Sequence, residues 1–281
     1  MPSHLQALLE RLAYQNGVLV RVHSVQGSGP REQGAWMAVF KDAVVNTVGG
    51  GKLEHQAIGQ ARAWLTFPDK YPAGAAASPQ LVRYGLGPSL GQCCGGVVHL
   101  SFERIASPDL NRLQAELAER RQAVGLFGGG HVGRALVKLL SDLPFTIHWV
   151  DSRDQIFPAQ VSDQVLCEHS DPVQAAVADL PAGSAVLIMS FSHAEDLDVV
   201  AACLQRQRKR SDLRFVGLIG SKSKWASFRR RLSQMGYSDS ELEGVTCPIG
   251  VSGIRSKAPE AVAIAIAAQL LQVCATASES A

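Results

Sequence analysis

Val124-Gly125-Leu126-Phe127-Gly128-Gly129-Gly130-His131-Val132-Gly133 is the stretch whose reading decides the fold. A short apolar run ends in glycines spaced G-x-G-x-x-G and continues into Arg134-Ala135-Leu136-Val137-Lys138-Leu139-Leu140, whose apolar residues recur at helical spacing. Glycines in such a turn permit a tight bend and let backbone N–H groups approach a pyrophosphate at the positive end of a helix. Asp151 closes the next apolar run about twenty residues on, where a carboxylate would accept hydrogen bonds from ribose hydroxyls. The pattern predicts a strand–turn–helix–strand unit of Rossmann type, with Gly128, Gly130, Gly133 and Asp151 facing a ligand. Nucleotide use does not follow from the fold alone, because such domains also keep the turn for packing.

Outward from this unit the chain alternates strictly. Strands are expected at 123–127, 145–150, 164–168, 184–190 and 214–219, and helices at 131–142, 171–179, 194–208, 222–235 and 259–275. Apolar runs joined by crossover helices define a parallel, doubly wound sheet. The region before residue 107 reads differently. Leu5, Leu8, Leu9 and Leu12 mark a helix over 3–15, followed by a strand at 18–25, a hairpin over 36–40 and 43–48, and a helix at 53–66. Residues 68–80 read as a loop, and two further strands bracket Cys93-Cys94. The fold class is therefore α/β, a C-terminal Rossmann-like doubly wound parallel sheet plus a smaller N-terminal α+β domain. The expected organisation is an α+β domain over 1–106, a connecting helix over 107–122 opened by Ser107-Pro108, the Rossmann-like domain over 123–275 and a disordered tail at 276–281.

Composition narrows the class. Hydrophobic residues make up 46% and charged residues 19% of 281 residues, enough apolar material for sizeable cores. A formal charge of +2 gives no global signal for nucleic acid, and the basic runs at 206–210 and 229–231 read as solvated helix faces. The apolar run at 261–271 is too short and Ala-rich to span a bilayer, so no membrane association is expected. Six dispersed cysteines are not a disulfide framework and fit a reducing compartment. The start, Met1-Pro2-Ser3-His4, leads into an amphipathic pattern rather than a signal peptide, which together suggests a cytoplasmic protein.

Three further places could carry chemistry. In Gly91-Gln92-Cys93-Cys94-Gly95-Gly96 adjacent thiols sit between glycines, too close for an easy disulfide and without the spacing of a zinc site. The segment presents soft sulfur to a ligand, or else buries two small apolar residues in a turn. His193 follows the fourth strand of the alternating region and faces the crevice at the strand ends, a solvated histidine at a helix start being the plain alternative. Gly220-Ser221-Lys222 follows the fifth strand and suits an anion at a helix N-terminus, or simply caps that helix. No H-E-x-x-H, P-loop or nucleophile elbow is present.

Taken together, several segments resemble the molybdenum-cofactor chaperones that serve xanthine dehydrogenase, the XdhC/CoxI family. They are Gly27-Ser28-Gly29-Pro30-Arg31-Glu32, Gly49-Gly50-Gly51-Lys52-Leu53-Glu54, Leu90-Gly91-Gln92-Cys93-Cys94-Gly95-Gly96, the glycine turn at 128–133, Gly217-Leu218-Ile219-Gly220-Ser221-Lys222 and Cys247-Pro248-Ile249-Gly250. The ending Gly253-Ile254-Arg255-Ser256-Lys257-Ala258-Pro259-Glu260 looks like the xanthine-dehydrogenase branch. The resemblance implies a protein that binds molybdopterin-ligated molybdenum, protects it during sulfuration by a cysteine desulfurase, and inserts it into the xanthine dehydrogenase molybdenum subunit. It implies a binding role without turnover, Cys93 and Cys94 as molybdenum contacts, and Gln92, Gly95, Gly128, Gly130, Gly133, Asp151, His193, Gly220, Ser221 and Lys222 as further cofactor-binding residues. A nucleotide in the Rossmann turn and a homodimer are both compatible with it. The competing reading is a nucleotide-dependent oxidoreductase with a redox-active Cys93-Cys94 pair.

Overall fold

Strand β1 (Gly17–Gln26) buries apolar side chains on both faces, which requires a sheet covered on both sides. A computed structural model describes residues 4–67, 79–86, 96–118 and 121–275, and the chain divides into two units, Met1–Ala118 and Glu119–Ala281. In the first unit β1 pairs antiparallel with β2 (Trp36–Val39) and with β5 (Val97–Ile105). The outer strands are β3 (Val44–Asn46) and β4 (Gln80–Gly85), giving the order β3-β2-β1-β5-β4. Val18, Val20 and Val22 point to one face, where Leu53, Ala57, Ala61 and Trp64 of helix α2 (Gly51–Thr66) cover them. Leu19 points to the other, against Leu8 and Leu12 of α1 (His4–Leu12) and Leu113 of α3 (Leu110–Glu116). Each fully buried Val or Leu among them contributes roughly 1.5–3 kcal/mol.

The helix expected from Ser107 is shorter than its sequence pattern. Asp109 accepts a hydrogen bond from Ala106 N at 2.9 Å, which winds Ser107–Asp109 into a 3₁₀ turn and delays the α-helix to Leu110.

The second unit is an all-parallel, six-stranded sheet. Its strands are β6 (Gln122–Phe127), β7 (Phe145–Asp151), β8 (Val165–His169), β9 (Ala185–Ile188), β10 (Phe215–Leu218) and β11 (Val245–Thr246). The order β11-β10-β9-β6-β7-β8 places the point where the strand order reverses between β6 and β9. All four residues of β9 are buried, the mark of a strand covered on both faces. Helices α4 (His131–Leu140) and α8 (Pro259–Ala275) cover one face. The other is covered by α5 (His193–Arg210), α6 (Lys222–Gln234), α7 (Asp239–Glu243) and a 3₁₀ segment at Val173–Asp179.

That 3₁₀ segment stands where a helix over 171–179 is expected. Pro181 holds Leu180 in an extended conformation and stops the winding within seven residues. The basic runs are exposed at Arg208, Lys209, Arg210, Arg230 and Arg231, as a solvated helix face requires, and Arg206 is the exception. Arg206 is buried and clamps Asp212 through two 2.8 Å bonds. Arg208 lies over Tyr237 and pairs with Glu241, while Arg229 pairs with Asp239. These three side chains also tie elements together.

Candidate functional site

At the carboxyl edge of the parallel sheet the loops after β6, β7, β9 and β10 converge on the switch point, where open α/β sheets bind ligands. The glycine turn is built by close approach. Gly128 has φ +124°, and a Cβ there would stand 2.0 Å from the carbonyl oxygen of Met189. A Cβ on Gly133 would stand 2.1 Å from the Gly128 carbonyl, so the first turn of α4 is drawn onto the loop. Gly130 differs: nothing lies within 4 Å of its Cβ position, and no side chain caps the helix it starts. The carbonyls are turned inward and held, Gly128 O by Trp149 Nε1 at 3.0 Å and Gly129 O by Arg134 Nε at 3.3 Å. The first N–H groups of α4 are therefore left facing outward beside an open glycine, the geometry of an anion site.

Asp151 lies at the end of β7, as its spacing requires, but its carboxylate is spent inside the protein. It accepts from Gly129 N at 2.5 Å, from Arg153 N at 2.8 Å, and from Arg153 Nε and Nη2 at 2.9 Å each. The side chain is 1% exposed. Burial opposes its charge, yet the Arg153 guanidinium and the Gly129 and Arg153 N–H groups together hold the acid below the usual carboxylate range. Asp151 thereby braces the glycine turn against β7.

His193 is exposed at the first position of α5, with its ring 6.4 Å from that of Phe228. The helix is capped by Ser192, whose hydroxyl accepts from Glu195 N at 3.2 Å. Ser221 does the same for α6, accepting from Lys224 N at 3.2 Å, and Lys222 is exposed. The lysine that enters the protein is Lys224, which donates to buried Asp196 at 2.5 Å and to Ile219 O at 2.9 Å. The other Asp196 oxygen accepts from Ser190 N at 2.7 Å, and among the described residues the buried Ser190 hydroxyl has no partner. Cys247 is half-buried beside this pair. Burial pushes its thiol up, with Lys224 and Asp196 acting in opposite senses.

Gln92, Cys93, Cys94 and Gly95 lie outside the described residues. Gly96, next in the chain, is pressed onto the 26–28 loop: a Cβ on it would stand 2.3 Å from Ser28 O. Pro30 of the same loop packs on Gly49, and Arg31 Nη1 reaches Thr47 O at 3.5 Å. Glu54 ties down the neighbouring turn, accepting from Thr47 Oγ1, from Val48 N at 3.1 Å and from Gly50 N at 3.2 Å. The loops at 27–34, 47–51 and 96 are thus neighbours within the first unit. Among the described residues no three His, Cys, Asp or Glu side chains gather to hold a metal, and no helix is long and apolar enough to cross a membrane.

Sequence reasoning missed Arg153 and the Asp196–Lys224 pair. An arginine two residues after the strand-ending acid was the available signal for the first. The second had none, since the two residues are 28 apart in sequence.

The second unit is thus a Rossmann domain with an open, uncapped helix start, joined in one chain to an α+β unit. Family models describing the XdhC Rossmann domain and the XdhC and CoxI family match residues 124–270 and 11–85. The chain belongs to the XdhC and CoxI family. It is 22% identical over 256 residues to the uncharacterized protein YqeB of Escherichia coli (strain K12), covering 91% of this chain and 43% of that protein. The chain therefore spans less than half the length of that curated relative. A crystal structure described as a xanthine dehydrogenase from Bacillus halodurans has the same fold, with a TM-score of 0.78 over 98% of this chain and 96% of that one, at 21% identity.

Proposed function

We propose that this chain carries the molybdenum cofactor as cargo, shields it while a cysteine desulfurase installs a sulfur ligand, and delivers it to the molybdenum subunit of a xanthine dehydrogenase. Family membership supports the class of job, and one observation supports the binding chemistry: the open Gly130 position at the uncapped start of α4. In this reading the N–H groups at Gly130 and beyond hold a phosphate, with Gly128 and Gly133 fixing their direction. Cys93 and Cys94, with Gln92 and Gly95, are assigned to the molybdenum, whose sulfur ligation makes it a soft partner for thiolate. His193, Gly220, Ser221 and Lys222 line the same sheet edge as weaker candidates, since Ser221 already serves its own helix. The protein acts by binding and release rather than turnover. The alternative, a nucleotide-dependent oxidoreductase with a redox-active Cys93-Cys94 pair, is less well supported, because the acid that would bind a nucleotide ribose corresponds here to Asp151, whose oxygens are already engaged.

The test is anaerobic purification from cells that make the cofactor, followed by molybdenum and pterin analysis of the parent and of Gly130→Val. The expected result is bound pterin with near-stoichiometric molybdenum in the parent and its loss in the variant. A parent that never carries either component overturns the carrier reading. A Gly130→Val protein that retains both removes the turn from the site.

A further inference from the structure

The carboxyl end of β7 is where a nucleotide seated on the glycine turn of a Rossmann domain lays its ribose. Both carboxylates there are engaged. A carboxylate has about four lone-pair positions, and Asp151 accepts bonds from Gly129 N and from three nitrogens of Arg153. Glu195 accepts from Ser152 Oγ at 2.7 Å and from Phe191 N at 3.1 Å. A ribose diol arriving here finds the acceptor positions of Asp151, the strand-ending acid, filled from within the protein.

The groups left to meet a ligand are of the opposite kind. Arg153 is one third exposed, with its guanidinium carbon 4.5 Å from the centre of the Phe191 ring, which is itself 64% exposed. Among the described residues its Nη1 makes no hydrogen bond. Two carboxylates face this arginine, so its charge is largely balanced. Its directed N–H donors remain, flattened against an aromatic face and held at a fixed angle.

We propose that Arg153, locked on Asp151 and laid against Phe191, sets the ligand class of the glycine turn. That class is a phosphorylated ligand carrying a second acceptor, anionic or carbonyl, where a nicotinamide dinucleotide carries its ribose diol. The proposal rests on the reading of the turn as a phosphate site. Discrimination comes from bond strength: an anionic acceptor on the ligand makes a charge-assisted bond to the arginine, whereas a diol offers it only neutral hydroxyl oxygens and finds the Asp151 acceptors filled.

Two probes separate the inference from the reading beneath it. ADP-ribose and 2′-phospho-ADP-ribose share the pyrophosphate and differ only at the 2′ position, a neutral hydroxyl against an anionic phosphate. Calorimetric titration of the full chain is expected to show the phosphorylated probe binding about tenfold tighter or more. Arg153→Met is expected to bring the ratio close to one. Phe191→Ala removes an exposed ring and no core packing, so it serves where Arg153→Met folds poorly, and it should also shrink the ratio. Equal binding of both probes to the parent overturns the inference and leaves the phosphate turn standing. A preference that survives both substitutions also overturns it, because some other group is then the reader. Binding of neither probe overturns the inference together with the reading of the turn.

Discussion

Gly128 and Gly130 stand two positions apart and are glycine for different reasons. At Gly128 the backbone is left-handed and the chain touches Met189, so any side chain both strains and clashes. At Gly130 the backbone is extended and the space open, so a side chain costs the fold little. The sequence leaves open whether the turn serves a ligand or packing, and at Gly130 no packing partner stands within 4 Å of a Cβ. Gly128→Ala is expected to lower stability by at least about 2 kcal/mol, whereas Gly130→Ala leaves the thermal midpoint within about a degree or two of the parent. Thermal melts of the two variants check this, and equal losses would refute it. The glycine spacing and the position of Asp151 were legible because they follow from chain geometry. What Asp151 binds was not legible, since it depends on Arg153 folding back onto it. The Cys93-Cys94 pair remains a sequence-derived assignment.

At the scale of elements, the alternation after residue 122 was readable because each strand is a short apolar run and each crossover has helical spacing. Two pieces escaped. Strand β11 is two residues long, below any detectable period. Helix α7 carried a readable signal, Ser238 three residues before Glu241, and forms a capping box on it. Arg206 shows what composition could not. Its guanidinium joins α5 to Asp212 in the following loop and to Val177 O in the 3₁₀ segment at 2.7 Å, with the side chain 5% exposed. Arg206→Met keeps most of the buried stem but leaves Asp212 and a carbonyl without their donor. A loss of about 2 kcal/mol is expected, read as a lower urea midpoint with an unchanged slope. No change would mean that the pair contributes nothing net.

Over the whole molecule, several carboxylates are held below their ordinary values by arginines. Arg208 hydrogen bonds bring Glu241 to about 2. Arg206 lowers Asp212, Arg21 and Arg112 lower Glu116, and the Arg153 clamp outweighs burial at Asp151. A depressed folded value means that the unfolded chain binds the proton first. Stability from these groups is therefore complete above the ordinary carboxylate value of about 4 and declines as pH falls toward about 2. The urea midpoint should fall between pH 5 and pH 3, roughly the acidic window of that linkage, and less steeply in high salt because several pairs are exposed. A midpoint that holds or rises over this range would contradict it.

The indole of Trp149 has its N–H on the Gly128 carbonyl and its ring edge-on to Phe157 at 5.1 Å, fully buried beneath the glycine turn. The chain thus carries a fluorophore wired to the loop it would report on. A shift of that peptide group alters the field along the indole dipole, so occupancy of the turn becomes an optical quantity, readable in real time without a label.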